Sequence, residues 1–290
     1  MTAGFKNKYS CLSDPPVLKT PFRIDLDEDK CIGCGLCILQ CPCQTLSLVE
    51  RSFSDKQEPA CQYNCPSGID VRKYMKVLAG GGAYREAWEI ITDANPFPAI
   101  TGMVCPHNCE ENCNRRNLDS SVNINQIERF IGEWAISEGL SFSTPEKKIG
   151  KKIAVVGSGP CGMSCAYHLL RLGYEVTVYE SNDEPGGMLR YAIPEFRLSK
   201  KLIESEYLRV IDMGLEIKLG TEVGKDISFD DLIAKYDAVY IAAGASKSKV
   251  PDFKTSGNVV SGLDFLRKSR ETGSLKPNSR VLVVGGGNTA

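Results

Sequence analysis

"IAVVGSGPCGMSCAYHLL", residues 153 to 170, constrains the fold more than any other stretch of the chain, because a short β-branched run enters a glycine-rich turn and leaves it in an apolar helical pattern. A strand that reverses into a helix over its own sheet needs glycine at defined places. Gly157 permits the tight turn, Gly159 lets the backbone approach a ligand closely, and Gly162 lets the helix pack against the sheet. Ser158 and Pro160 lie between them, and the helix that follows presents unpaired N–H groups to an anion. Glu180 closes the next run, "YEVTVYE", 23 residues after Gly157, where a carboxylate accepts hydrogen bonds from ribose hydroxyls. Strand, loop, helix and acid together predict a dinucleotide held by its pyrophosphate.

The runs "KIAVVGSGP", "YEVTVYE", "YDAVYIAAG" and "RVLVVGGGN" alternate with helical patterns, which predicts βαβ units and a mainly parallel sheet over the last part of the chain. Ahead of it, residues 51 to about 140 read as helices at "IDVRKYMKVLAGG", "YREAWEIITD" and "NINQIERFIGEWAISEG", the first stopped by Gly80 to Gly82. "SFSTPEKKIG" is a polar connector between the two. The expected fold class is therefore multidomain, α+β and α/β, divided as a cysteine-rich segment over 1–50, an α-helical domain over 51–145, a Rossmann-like dinucleotide-binding domain over 146–250, and the start of a second nucleotide-binding domain over 251–290.

With 35 Lys plus Arg against 36 Asp plus Glu, the net charge of -1 provides no field for nucleic acid or an anionic membrane. The first residues carry no apolar leader and no window approaches a membrane span, so a cytoplasmic location is expected. Thirteen cysteines in such a chain point to metal ligation rather than to disulfides, and ten of them fall between Cys31 and Cys113.

Cys31, Cys34, Cys37 and Cys41-Pro42, in "CIGCGLCILQCPC", fit C-x2-C-x2-C-x3-C-P, the spacing with which three close thiolates wrap one [4Fe-4S] cubane while the fourth turns to another. A structural zinc site, the alternative, takes four ligands, usually as paired C-x2-C knuckles, which the triple close spacing does not match. Cys43 ends the run. A second group holds Cys61 and Cys65 with Cys105, Cys109 and Cys113, the last three recurring every four residues as though on one helical face. Cys161 and Cys165 are expected to be small buried residues and His168 a packing residue, while His107 is not expected to ligate a cluster.

Glu180 with "EPGGMLRYAIPEFRL", and then "YDAVYIAAGA", resemble the FAD domain of two-dinucleotide flavoproteins. That resemblance implies FAD, with Gly186, Gly187, Met188 and Arg197 along the flavin and Gly244 at the exit from the domain. "RVLVVGGGNTA" is similar to the opening of a nicotinamide-nucleotide domain, with Gly285, Gly287 and Ala290 in a GxGxxA arrangement. Because the sequence ends where its helix should begin, either a fragment of a chain of roughly 450 residues or more is expected or another polypeptide supplies the rest; domain sizes favour the fragment, with NAD(P)H held only by the complete protein.

"CQYNCPSGIDVRKYM", "NPFPAITGMVCPHNCEENCNR" and "VNINQIERFIGEW", followed by the flavin motifs, resemble the small (beta) subunit of NADPH-dependent glutamate synthase, the N-terminal half of dihydropyrimidine dehydrogenase and the large subunit of NADH-dependent ferredoxin NADP oxidoreductase, over residues 58 to 290. The resemblance implies one [4Fe-4S] cluster on Cys65, Cys105, Cys109 and Glu128. The helix agrees independently, since Glu128 lies inside an apolar stripe of Ile124, Ile127, Ile131, Trp134 and Ala135 and a buried carboxylate needs a partner. The alternative partner is an arginine such as Arg115. The family's other cluster implies Cys61 and Cys113 with two more cysteines, where this chain has Phe53 and Lys56. Cysteines of the 31–43 run are then the expected replacements, grouped as Cys31, Cys34 and Cys37 with an unassigned fourth ligand, and Cys41, Cys61 and Cys113 with Cys43 or Cys11. Two or three clusters are expected.

The functional expectation is an iron–sulfur flavoprotein subunit that carries electrons between NAD(P)H, FAD, its clusters and a partner protein or ferredoxin, within a hetero-oligomer. No catalytic acid, base or nucleophile is expected. Two other readings stand beside it: a glutamate synthase small subunit feeding a glutamate-forming large subunit, and a non-enzymatic electron wire or scaffold of a larger complex.

Overall fold

The structure is a computed structural model that describes residues 9–11, 46–48, 59–117, 119–248, 259–272, 280–287 and 289. The cysteine run 31–43 lies outside the described residues. Two short strands close the segment that contains it: β1 (Tyr9–Cys11) and β2 (Leu46–Leu48) pair antiparallel, with Ser10 opposite Ser47.

A helical unit follows: α1 (Ala60–Tyr63), α2 (Val71–Ala79), α3 (Tyr84–Ala94), α4 (Pro98–Val104), α5 (Asn108–Glu111) and α6 (Ile124–Ser137). The Asp70 side chain caps α2 by accepting from the Lys73 N–H, and Gly80 ends it, as the glycine stop predicts. Apolar residues at helical spacing meet in one core of Tyr74, Trp88, Ile91, Ile124, Ile131 and Ala135. Helices α4 and α6 cross closely because Gly102 faces Arg129 and Gly132 faces Ala99. A Cβ on Gly132 would stand 2.4 Å from the Ala99 nitrogen. This close approach fixes the face of α6 that carries Glu128.

The second unit is a parallel sheet in the order β5–β4–β3–β6, built from β3 (Lys152–Val156), β4 (Glu175–Tyr179), β5 (Glu216–Lys218) and β6 (Ala238–Ile241). Val155 pairs with Val178 on one side and Tyr240 on the other. Helices α7 (Pro160–Arg171), α8 (Met188–Tyr191), α9 (Lys200–Ile211) and α10 (Phe229–Lys235) complete it; α7 covers one face of the sheet and α9 packs on α7 and α4, in one apolar core that holds Met163, Ala166, Leu170, Ile203 and Val210. Helix α11 (Gly262–Thr272) is pinned to this unit by Arg270, which is buried and donates to the carbonyls of Leu189, Arg190 and Leu198 and to Glu195.

Two expectations are corrected. The run "RVLVV" forms no strand: Arg280 to Gly286 carry no ladder, and Val281 to Val284 are exposed. β-branched residues become a strand only against a neighbour, and none of the described strands pairs with them. The four-residue recurrence of Cys105, Cys109 and Cys113 is not one helix either. Cys105 ends α4, Cys109 lies on α5 and Cys113 follows it, because His107 takes a left-handed conformation at φ 46° and breaks the run.

Candidate functional site: a glycine crevice and a cysteine–carboxylate group

The crevice forms at the carboxyl ends of β3 and β6, where an open α/β sheet places its ligands. Gly157, at φ 102°, turns out of β3 so close to β6 that a Cβ there would stand 2.4 Å from the Ala242 carbonyl oxygen. A Cβ on Gly162 would stand 1.9 Å from the carbonyl oxygen of Gly157, so the helix can begin there only on glycine. Gly159 differs, because its missing side chain faces open space. The first N–H groups of α7, opened by Pro160 at its first position, have no partner within the helix. Backbone closed on two sides and open at Gly159 fits a pyrophosphate.

Glu180 follows β4 and is buried at the rim. Its Oε2 accepts from the Ser158 N–H at 2.9 Å and from the Ser158 hydroxyl at 2.6 Å, and its Oε1 from the Asn182 N–H and side-chain amide at 2.9 and 2.6 Å. Burial pushes its pKa up, but the hydrogen bonds from Ser158 and Asn182 outweigh this and hold it below the usual carboxylate value. Glu180 therefore stands ionised, tying β4 to the glycine loop. Gly186 and Gly187 lie against the same loop: the Gly186 N–H donates to the Ser158 carbonyl, and a Cβ on Gly187 would stand 2.9 Å from the Gly159 Cα. Met188 opens α8 directly beyond. Gly244 follows Ala242 out of β6 with φ 68°, while Arg197 is exposed and Gly285 and Gly287 lie in the unpaired run after α11. Cys165 is half-buried, but Cys161, expected to be buried, is exposed on the first turn of α7 with its sulfur 3.2 Å from the Tyr240 hydroxyl, since β6 is the edge of the sheet. His168 packs edge-on to Tyr167, as expected. A cavity of about 410 Å³ lies at the opposite end of the strands, against Lys152, Glu175 and Glu216, away from the loop.

The helical unit gathers its cysteines into two groups. Cys65, Cys105, Cys109 and Glu128 lie within electrostatic reach of one another, and Cys61 within reach of Cys113. Burial first, then Glu128 and Cys65, push the Cys109 thiol up to about 12, and burial also raises Cys105. Glu128, on α6, is pushed up to about 7 by burial, against the lowering effect of the Tyr74 hydroxyl, which donates to its Oε1 at 3.1 Å. Tyr74 is itself held far above its ordinary value, by burial and then by Glu128, so it remains a donor. Arg115 is not the partner of Glu128, for it pairs with Asp119 at 2.9 Å. His107 donates its backbone N–H to the Cys105 sulfur at 3.3 Å.

Three thiols and a carboxylate held together out of water would repel one another as anions, and a metal centre is the charge that reverses this. Among the described residues no three His, Cys, Asp or Glu converge closely enough to hold a single metal ion. Cysteine thiolates are the ligands that iron–sulfur clusters take, so the donor chemistry of this set is compatible with a cluster.

A glycine crevice for a dinucleotide beside a thiol-rich helical unit defines a redox protein, and comparison with known proteins places it. Residues 110–223 and 151–290 match pyridine nucleotide-disulphide oxidoreductase, residues 50–140 match dihydropyrimidine dehydrogenase domain II, 4Fe-4S cluster, and residues 24–47 match a 4Fe-4S binding domain. The chain belongs to the pyridine nucleotide-disulphide oxidoreductase family, in the branch that carries 4Fe-4S domains ahead of its dinucleotide-binding unit. It is 40% identical over 252 residues to the NADPH-Fe(3+) oxidoreductase subunit beta of Geobacter sulfurreducens, covering 82% of this chain and 36% of that one. It is 33% identical to the NAD-dependent dihydropyrimidine dehydrogenase subunit PreT of Salmonella typhimurium, over 79% of this chain and 56% of the relative, and 35% identical to the glutamate synthase [NADPH] small chain of Azospirillum brasilense, over 80% and 52%. The chain thus spans between about a third and just over half of these relatives. Its matched domains are of the kinds that hold 4Fe-4S clusters, FAD and NAD(P).

Proposed function

We propose that this chain is the electron-carrying part of an iron–sulfur flavoprotein, taking electrons from NAD(P)H and delivering them to a partner protein or ferredoxin in the cytoplasm. When bound, the flavin accepts a hydride as an electron pair and the clusters accept electrons singly. The residues of the chain hold and orient these groups. Gly157, Ser158, Gly159, Pro160 and Gly162 would cradle the FAD pyrophosphate, Glu180 would fix the loop, and Gly186, Gly187, Met188, Arg197 and Gly244 would line the path of the flavin. Cys65, Cys105, Cys109 and Glu128 would hold one cluster; Cys61 and Cys113, with Cys41 and Cys43 or Cys11, a second; and Cys31, Cys34 and Cys37 a third. Gly285 and Gly287 would open the NAD(P) site, and the domain limits we assign are 1–50, 51–145, 146–250 and 251–290.

The observation that carries this reading is the convergence of Cys65, Cys105, Cys109 and Glu128, drawn from separate elements into one place in the helical core. The 4Fe-4S domain matched at 24–47 favours a ferredoxin-linked chain over a glutamate synthase small subunit, because it supplies a further electron port. Glu128→Ala should alter or abolish the EPR signal of one cluster, and iron and acid-labile sulfide should amount to about eight to twelve of each per chain. An unchanged set of signals, or zinc without sulfide, would remove the assignment.

A further inference from the structure

Helix α2 contributes no thiol, yet it sends Tyr74 through the core to the cysteine–carboxylate group. Tyr74 is fully buried in the core that holds Ile91, Ile124 and Ile131, and its hydroxyl reaches this region. It donates to Glu128 Oε1 across 54 residues of chain. It also lies within electrostatic reach of Cys109, of the first cysteine group, and of Cys61, of the second. Among the described residues, no other hydrogen bond reaches the Glu128 carboxylate. A carboxylate held by one oxygen has its other oxygen left for a ligand.

We propose that Tyr74 is a positioning residue that holds Glu128 by Oε1 and turns Oε2 toward the cluster of Cys65, Cys105 and Cys109. This rests on Glu128 being a ligand of that cluster. Two physical consequences follow. The hydroxyl fixes the rotamer of a ligand that would otherwise swing, as outer hydrogen bonds do for metal-bound carboxylates. It also draws electron density from the carboxylate, so the cluster accepts an electron more readily than it would on an unbonded ligand.

The test uses the full chain, with clusters reconstituted anaerobically, in Y74F, in a protein with 3-fluorotyrosine placed at position 74, and in E128A. Phenylalanine removes the donor, and fluorotyrosine keeps the ring and hydroxyl while making the donor stronger. In EPR-monitored redox titrations, the signal altered by E128A should move to lower potential in Y74F and to higher potential with fluorotyrosine. A chelator should strip that cluster on the order of tenfold faster from Y74F. Midpoints unchanged in both Tyr74 proteins, shifts of the same sign, or shifts confined to another cluster would overturn the role of Tyr74 while leaving Glu128 as ligand. Signals unchanged in E128A would instead overturn the ligand assignment on which the inference rests. Should Y74F fail to fold, the sign of the fluorotyrosine shift decides.

Discussion

Glu206 is a charged residue that the fold buries completely. In "KKLIESEYLRVI" it sits among several charges of an amphipathic helix, and its side chain is fully buried between the two units. Its Oε1 accepts from the Ala99 N–H at 2.9 Å, at the start of α4, and its Oε2 stands 3.6 Å from Arg209 Nη1. Burial raises the carboxyl to about 7 despite Arg209, and burial lowers Arg209 in turn, so desolvation outweighs their attraction. Between the ordinary value of 4.5 and about 7, the folded chain keeps a proton that the unfolded chain has released. Stability from this group is therefore present at low pH and lost as pH rises through that window, by about 3 kcal/mol at 1.36 kcal/mol per unit. Glu206→Gln should flatten the slope of folding stability between pH 4.5 and 7 in urea titrations; a slope equal to wild type would show that Glu206 does not carry it. Both carboxylates interrupt an apolar stripe, Glu128 between Ile124 and Ile131 and Glu206 between Ile203 and Val210, but the partner of Glu206 lies 107 residues away, where the local pattern does not point.

The elements themselves were largely legible. Helical periodicity marks α2, α3 and α6, and the β-branched runs mark β3, β4 and β6, because each has a neighbour to bury against. Where the neighbour is missing, at Arg280 to Gly286, the same pattern forms nothing. The spacing of the cysteines was legible as ligation but not as geometry, since His107 turns the chain between Cys105 and Cys109. The packing of α4 on α6 also escapes the sequence, where Gly102 and Gly132 look like weak points in helices. Their purpose is contact. On Gly132 a Cβ would meet the Ala99 nitrogen at 2.4 Å and its Cα at 2.8 Å, and these are backbone atoms that cannot step aside singly. Gly132→Ala gains up to about 1 kcal/mol of helix propensity but must force the helices apart at an overpacking cost of about 1–3 kcal/mol. We expect net destabilisation in urea titrations. Because Cys105 ends α4 and Glu128 rides on α6, we also expect less iron per chain. A stabilised G132A protein with full iron content would show that the crossing tolerates separation.

At the scale of the molecule, the helical and sheet units are joined as one cooperative body rather than tethered. The polar connector "SFSTPEKKIG" reads as a linker, but its Phe142 stacks on Trp88 of α3 at 5.1 Å and meets Tyr167 of α7 edge-on at 4.6 Å, so that one ring belongs to both cores. Around it the Tyr167 hydroxyl donates to the Thr92 carbonyl at 2.8 Å, Arg171 pairs with Asp93 at 2.6 Å, and Arg209 lies over the Trp88 ring. The exposed Arg171 pair contributes at most about 1 kcal/mol, whereas each aromatic contact adds about 0.5–1.5 kcal/mol beyond the area it buries. The ring therefore dominates the coupling. Phe142→Ala, at a half-buried site, should cost about 2–3 kcal/mol, below the range for a fully buried phenylalanine. It should also resolve the calorimetric unfolding of the chain into two transitions, with the helical unit melting first because its core is smaller. Phe142→Leu, which keeps the apolar volume but not the stacking, should fall between. If F142A unfolds in one transition at the wild-type temperature, the polar contacts alone couple the units.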